Sequence, residues 1–199
     1  INSSMENSLF HKLEIEAYRK GLRARSVEAR RWFRGKTKEL GGTNRRALLR
    51  DPALERKKRP TPGDMYMYFY DPKHRKTLPY YDAFPLTIMV EPTRDGFYGI
   101  NLHYLSPMLR AKFLDKLMDT ANNQRFDEST RLNINYNMLK SVAKYREFQP
   151  CFKRYLTKGI EGNVAKVEPP EWDIAIFLPT EQFRGKNKTH VWGASKRMI

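Results

Sequence analysis

The stretch Met65-Tyr66-Met67-Tyr68-Phe69-Tyr70 sets the architecture of this chain. Six β-favouring residues in alternation are typical of a strand, because successive side chains of a strand point to opposite faces. The three tyrosines therefore share one face, and the methionines and Phe69 share the other. We expect the tyrosines to pack on a sheet face; the alternative is that they offer their rings to unpaired bases. The turn signal Asp71-Pro72 ends the strand.

Further strands are predicted on the C-terminal side of this one. An apolar run over 84–90 predicts the second strand, and Asp95-Gly96 supplies the positive-φ turn of a hairpin that returns through 97–105. A possible edge strand covers 164–167 and ends at Pro169-Pro170. The sequence thus predicts a small antiparallel sheet of three to four strands.

Helical periodicity begins after residue 105. Ser106 as N-cap and Pro107 at the first helical position open one helix, and Asp127 is the predicted cap of a second. Their apolar stripes consist of Leu109, Phe113, Leu117 and Ala121 in the first helix, and Leu132, Tyr136, Leu139 and Ala143 in the second. A short helix is expected over 150–156. The segment 171–179 fits a helix or a buried strand, and we favour the helix.

Positive charge is concentrated at the start of the chain. The 199 residues hold 38 lysines and arginines against 22 acidic residues, a net charge of +16, and 17 of these cations lie in the first 60 positions. The helix expected over 6–33 has only a thin apolar stripe, so we interpret this segment as an arm and not as a core. The predicted fold is α+β, with two or three helices on the sheet. It comprises a basic, partly helical N-terminal arm (1–62), a body (63–185) and a basic C-terminal tail (186–199).

The basic arm predicts contact with nucleic acid. A run of like charges repels itself unless a polyanion neutralises it, and release of counterions from a DNA backbone favours that neutralisation. Such contacts fix position on the phosphates and do not read base sequence. A solvated face or a flexible tail is the alternative interpretation. The predicted DNA-binding residues are Arg30, Arg31, Arg34, Arg45, Arg46, Arg50, Arg56, Lys57, Lys58 and Arg59 in the arm, with Lys73, Arg75 and Lys76 at a basic loop tip after the first strand.

The sequence offers little for catalysis, metal binding or a cofactor. Cys151 is the single cysteine, expected to be buried and unreactive, and the four histidines lie far apart, so we predict no metal site. The sequence contains no glycine-rich phosphate-binding loop followed by a lysine and a serine or threonine. This disfavours an ATPase or GTPase of the common type. A nuclease could hold a divalent ion on Asp71, Asp82 and Glu91, but their neighbours favour structural turn acids. We predict that the protein is not an enzyme.

No transmembrane helix or signal peptide is predicted. The longest comparable apolar run covers 84–90, far short of the 18 or more residues that a membrane-spanning helix needs. The mean hydropathy of −0.75 fits a folded protein with a polar exterior, since 13% of the residues are aromatic and supply burial area.

Four stretches of the body resemble a known family. They cover 67–73 (MYFYDPK), 77–86 (TLPYYD followed by FPL), 96–105 (GFYGINLHYL) and 177–183 (FLPTEQF). They resemble the DNA end protector family, minor virion proteins of T-even-like contractile-tailed phages, over roughly residues 64–183.

The resemblance implies a non-enzymatic virion protein that sits on the ends of packaged double-stranded DNA and shields them from exonuclease. Its implied partners are the DNA backbone and other virion proteins such as portal, neck or baseplate subunits, with no membrane. The alternative is a structural component of the neck or baseplate whose basic arm contacts neighbouring subunits.

Overall fold

The computed structural model of the chain describes residues 9–23, 25–39, 44–49, 55–57, 60–121 and 131–199. Within these residues there are eight α-helices and eight strands. The helices are α1 (Leu9–Arg19), α2 (Val27–Glu39), α3 (Arg45–Leu49), α4 (Pro107–Ala121), α5 (Tyr136–Ser141), α6 (Phe148–Cys151), α7 (Trp172–Phe177) and α8 (Lys188–Met198). The strands are β1 (Glu55–Lys57), β2 (Met65–Tyr70), β3 (Tyr81–Asp82), β4 (Leu86–Pro92), β5 (Gly96–Asn101), β6 (Phe152–Leu156), β7 (Ile160–Val167) and β8 (Phe183–Arg184). None of the described helices has the length and apolar character that crossing a membrane requires.

The strands form one large and one small antiparallel sheet. Six of them pair in the order β1-β7-β2-β4-β5-β6, and β3 pairs with β8. The hairpin predicted at Asp95-Gly96 is confirmed, since β4 and β5 are antiparallel with Ile88 opposite Ile100. The α+β class is confirmed as well, but the large sheet exceeds the three to four strands expected. The strand predicted at the edge over 164–167 belongs to β7, which lies inside the sheet between β1 and β2.

The helix predicted over 150–156 is wrong. Helix α6 ends at Cys151, and Phe152 takes extended backbone angles (φ −71°, ψ 121°) that begin β6. This strand pairs with β5, where Phe97 lies opposite Tyr155. A few apolar residues do not separate a short strand from a short helix by their spacing. The pairing with the free edge of β5, which is not visible in the local sequence, determines the outcome.

Both faces of the large sheet are covered, and β2 contributes to each. Met65 and Met67 are fully buried in the main core, which the helices share. Tyr66 and Tyr68 are fully buried in a second cluster that also contains Tyr155. The ring of Tyr155 lies edge-on to that of Tyr68, with 5.6 Å between centroids. The prediction that these tyrosines pack on a sheet face is confirmed.

The predicted body helices are present with one change. The helix expected from Pro107 is α4, and the segment 171–179 contains α7, all of whose residues are buried. The second predicted helix is reduced to the six residues of α5. It is capped by Asn135, whose side chain accepts a hydrogen bond from the backbone N–H of Met138. The predicted cap Asp127 lies outside the described residues.

The N-terminal helices belong to the core. Phe10 of α1 and Ala29 and Phe33 of α2 are buried in the main cluster, and both helices contact α7. The expectation that this segment is no part of a core is therefore wrong for its described residues, because two phenylalanines bury a large area even on a thin stripe. The single helix expected over 6–33 is divided by a turn at Gly21 (φ +71°). The boundary drawn at residue 62 stays a prediction.

The basic tail forms α8, which docks on the body. Asn187 caps this helix by accepting a hydrogen bond from the backbone N–H of His190 at 2.9 Å. Val191 is fully buried, and Nε1 of Trp192 donates to the carbonyl of His103 at 2.9 Å. The helix is therefore fixed beside the residues that follow β5.

Candidate nucleic-acid interface

The described surface carries a large excess of positive charge. Twenty-four of its lysine and arginine side chains are exposed, against five carboxylates: Glu28, Glu39, Asp95, Asp119 and Glu161. Five other carboxylates are buried, namely Asp64, Asp82, Glu147, Asp173 and Glu181. Among the described lysines and arginines, only Arg110 is buried. Exposed cations therefore outnumber exposed carboxylates among the described residues, and a polyanion can reach them.

Two of the predicted DNA-binding arginines are engaged by the protein itself. Both terminal nitrogens of Arg30 donate to the carboxylate of Asp115 at 2.6 Å, and this hydrogen bonding raises the pKa of Arg30. Arg45 donates to the backbone carbonyls of Thr180 at 2.7 Å and of Glu181 at 2.6 Å. These guanidinium groups hold α2 and α3 on the body, which leaves them little capacity for a phosphate.

The other predicted contacts differ in accessibility. Five are exposed: Arg31, Arg34, Arg46, Lys73 and Lys76. Arg75 is exposed too, but it pairs with Asp71 at 2.6 Å. Arg56 and Lys57 lie on β1, of which the backbone alone is described. Arg50, Lys58 and Arg59 lie outside the described residues.

A groove beside α8, which we call the tryptophan groove, combines cations with an aromatic ring. It has a volume of about 420 Å³, and its lining includes Arg34 and Lys38 of α2 with Lys188 and Trp192 of α8. Nζ of Lys188 lies 5.6 Å from the centroid of the Trp192 ring. Arg110 also lines the groove, but its guanidinium is already bonded to the body. Arg34 and Lys38 are exposed and therefore positioned to meet phosphates.

A second cavity, which we call the tyrosine pocket, opens between the loop after β2 and strand β6. Its volume is about 420 Å³. Its lining includes the rings of Tyr70, Tyr80, Tyr81, Tyr104 and Tyr155 and the basic side chains of Lys73, His74, Lys153 and Arg154. The loop tip predicted as basic thus forms part of a concave aromatic surface.

The first turn of α8 connects the two cavities. Lys188 lines the tryptophan groove, while the ring of His190 lies 6.0 Å from that of Tyr80 in the tyrosine pocket. The turn before the helix packs closely on the loop after β2, since a Cβ at Gly185 (φ +91°) would collide with the carbonyl oxygen of Pro79. The basic loop tip and the basic tail, far apart in sequence, therefore form one surface.

The comparison with known families decides the relationship of this chain. The model of the phage T4 terminal DNA protecting protein family matches residues 5–198, nearly the whole length.

The chain belongs to this family.

No curated protein and no solved structure matches it. The family match extends beyond the stretches that resemble the end protectors, and it takes in α1, α2, α3 and α8. Both cavities of this member of the terminal DNA protecting protein family therefore lie within the matched range.

A buried chain of hydrogen bonds lies behind the tyrosine pocket. Nδ1 of His103 lies 2.7 Å from Asp82, and its Nε2 lies 2.9 Å from the hydroxyl of Thr180. Carboxylate, imidazole and hydroxyl occur here in the order found in nucleophilic triads. His103 and Thr180 are fully buried, however, so a substrate has no access to the hydroxyl. The network ties β3, the turn after β5 and the segment before β8 together.

Each of the three acids considered as metal ligands has its own hydrogen-bond or ion-pair partner in the protein. Asp71 pairs with Arg75, Asp82 belongs to the buried network, and Glu91 accepts a hydrogen bond from the backbone N–H of Tyr136. In the part of the chain that the structure describes, no three histidine, cysteine or acidic residues are grouped to hold a metal ion.

Cys151 is fully buried, as predicted, and burial raises the pKa of its thiol well above the ordinary range. A protonated, enclosed thiol is a poor nucleophile. Cys151 therefore contributes to core packing in this member of the terminal DNA protecting protein family.

Sequence reasoning missed several residues of this surface. Lys38 lies in the basic segment but has no distinguishing local pattern. The segment that carries Lys153 is predicted as a helix, and Trp192 lies in the basic tail without a local pattern that indicates how its ring packs. The pairing of β6 with β5, which places Lys153 beside the pocket, is not visible in the local sequence.

Proposed function

We propose that this protein binds the ends of linear double-stranded DNA without sequence specificity and shields them from exonuclease. In this proposal it acts as a non-enzymatic virion protein, assembled in the host cytoplasm, with other virion proteins as further partners. The family match supports a role in protecting terminal DNA. The observation that carries the proposal is the excess of exposed lysines and arginines over exposed carboxylates, 24 against five among the described residues.

The exposed cations suit phosphate contact better than base reading. Those on helix α2, on the loop after β2 and just before α8 lie around the two cavities, and lysines are numerous among them. Contacts of this kind fix a protein on the duplex and carry no direct sequence information. The proposed contacts are Arg31, Arg34, Lys38, Lys73, Lys76 and Lys186, and Arg46, Arg50 and the cluster Arg56, Lys57, Lys58 and Arg59 remain proposed with them.

Binding to duplex DNA over a range of salt concentrations tests the proposal. A triple variant of α2 (Arg31→Gln, Arg34→Gln and Lys38→Gln) is expected to weaken binding and to lower the slope of log K against log salt by about three, because each phosphate contact contributes about one. The matched control removes three exposed cations elsewhere (Arg94→Gln, Lys112→Gln and Arg146→Gln) and is expected to change the slope less.

Two results would contradict the proposal. One is the absence of wild-type binding to duplex at about 50 mM salt, where several phosphate contacts give strong affinity. The other is an equal loss in both triple variants, which would leave net charge as the only determinant and remove the role of α2.

A further inference from the structure

Phosphate contacts alone do not distinguish the end of a duplex from its middle. The backbone charge is the same along the DNA, so exposed cations bind internal and terminal segments alike. An end differs because its terminal nucleotide is readily unstacked and offers a base face together with a nearby phosphate. A surface that selects ends therefore needs aromatic rings and a cation in one cavity.

We infer that the tyrosine pocket holds the terminal nucleotide of a DNA strand, with the base on the tyrosine rings and the phosphate on Lys153. This inference rests on the proposed function and adds the part of the DNA that the pocket recognises. The volume of about 420 Å³ is within the range of small-molecule sites, about 300–1,000 Å³.

Lys153 supplies a partly enclosed cation to the tyrosine pocket. It is half-buried on β6, and its Nζ lies 4.1 Å from the centroid of the Tyr104 ring. Among the described residues, no carboxylate lies within ion-pair distance of it. Desolvation lowers the pKa of Lys153, so its charged form lacks the stabilisation that water or an acid would give. A bound phosphate would supply the missing negative charge.

The two carboxylates that line the pocket do not act as counterions of Lys153. Asp95 is held by Arg154 at 2.8 Å. Asp82 is held by His103 at 2.7 Å and also accepts hydrogen bonds from Asn101 and two backbone N–H groups. Both acids are occupied by their own partners, and the positive side chains of the pocket remain in excess.

The rings of the pocket suit a base of any identity. Tyr80 and Tyr81 are half-buried, so part of each side chain is open to the cavity. The ring of Tyr80 is tilted by 37° to that of Tyr104, with 6.3 Å between centroids, and the ring of His190 lies 6.0 Å from it in an edge-on arrangement. Stacking on aromatic rings tolerates every base because each has a π-face. This agrees with protection of ends whatever their sequence.

The test compares a linear duplex that has 5′-phosphorylated ends with a dumbbell of the same sequence whose ends are closed by loops. Wild-type protein is expected to bind the open duplex about tenfold more tightly than the dumbbell. Lys153→Met is expected to lose this preference and to bind the dumbbell as the wild type does. The charge-matched control Lys112→Met, on an exposed face of α4, is expected to keep the preference.

A second variant and a competition experiment test the inference in case Lys153→Met does not fold. Tyr80→Leu alters a half-buried side chain and is expected to reduce the preference for open ends, with its fold checked by circular dichroism. In the wild type, deoxythymidine 5′-monophosphate is expected to compete with the open duplex and to leave dumbbell binding unchanged.

The outcomes separate this inference from the proposed function. If the wild type binds neither DNA, the proposed function fails. If it binds both DNAs and Lys153→Met keeps the wild-type preference, or the wild type has no preference, the pocket inference is overturned and the phosphate-binding surface stands.

Discussion

Asp82 shows how a carboxylate stabilises a protein whose surface is basic. Its oxygens accept hydrogen bonds from the backbone N–H groups of Phe84 and Gln182, both at 3.0 Å, and from the side chains of Asn101 and His103. Burial opposes its ionisation, but the charge of His103 and these hydrogen bonds outweigh burial. The pKa of Asp82 therefore lies below its ordinary value of 3.8.

Asp82→Asn is expected to destabilise the fold strongly. The amide would place a donor against the side-chain donors of Asn101 and His103, and each hydrogen bond lost to the buried carboxylate costs roughly 1.5–3 kcal/mol of the free energy of unfolding. Urea unfolding followed by circular dichroism measures the change. The control Asp119→Asn alters an exposed carboxylate and is expected to stay within about 0.5 kcal/mol of the wild type.

Asp82→Asn is also expected to change the stability of the protein in acid. A carboxyl group with a lowered pKa in the folded state contributes its full stability above its unfolded pKa, near 3.8, and loses it as the pH falls through the folded value. The stability of Asp82→Asn is therefore expected to depend less on pH below about 4 than that of the wild type. Equal pH profiles for the two proteins would contradict the role given to the ionised carboxylate.

Helix α2 has an inner and an outer arginine with different roles. Arg30 is bonded to Asp115 and lies 3.6 Å from Asp173, whereas Arg34 is exposed in the tryptophan groove. The two residues are four positions apart, about one turn of the helix, and only the position of Arg30 is faced by the carboxylates of α4 and α7 among the described contacts.

Arg30→Met and Arg34→Met remove the same charge and are expected to affect different properties. The first variant lowers stability, and the second weakens DNA binding. Arg30→Met should lower the free energy of unfolding by about 2 kcal/mol, since it removes hydrogen bonds between charged groups. Arg34→Met should leave stability within about 0.5 kcal/mol of the wild type and weaken duplex binding. Urea unfolding and a DNA binding assay on both variants measure these effects. Weaker DNA binding by a fully stable Arg30→Met would contradict the division.

The elements that the sequence predicted are those with strong local signals. β2 has strict alternation, the β4–β5 hairpin has Asp95-Gly96 at its turn, and α4 begins at Pro107. β6 and β1 are short and gain their structure by pairing with β5 and β7. Such pairing depends on distant parts of the chain, so local patterns do not reveal it.

The same limit applies to the candidate interface. The exposure of Arg34 and Lys73 follows from a basic segment and a basic loop tip, which are visible in the sequence. The internal use of Arg30 depends on Asp115 in α4, and the pocket around Lys153 depends on β6 lying beside the loop after β2. Residue type therefore identifies the cations, but tertiary packing determines whether each one stabilises the fold or lies exposed on the surface.

The molecule as a whole presents a positive exterior over an acid-stabilised interior. The early segment, first interpreted as an arm, contributes helices to the core and cations to the surface. The basic loop tip and the basic tail join it through the first turn of α8. A ligand that spans these elements must be large and negatively charged, which a DNA duplex is.

Exonuclease digestion of a linear duplex, followed over time at increasing protein concentration, tests the central claim most directly. Digestion is expected to stop once each end is occupied, at protein amounts too small to coat the duplex, and protection is expected to weaken steeply as salt rises from about 50 to 200 mM. Digestion at the unprotected rate, or protection that appears only when the duplex is fully coated, would contradict it.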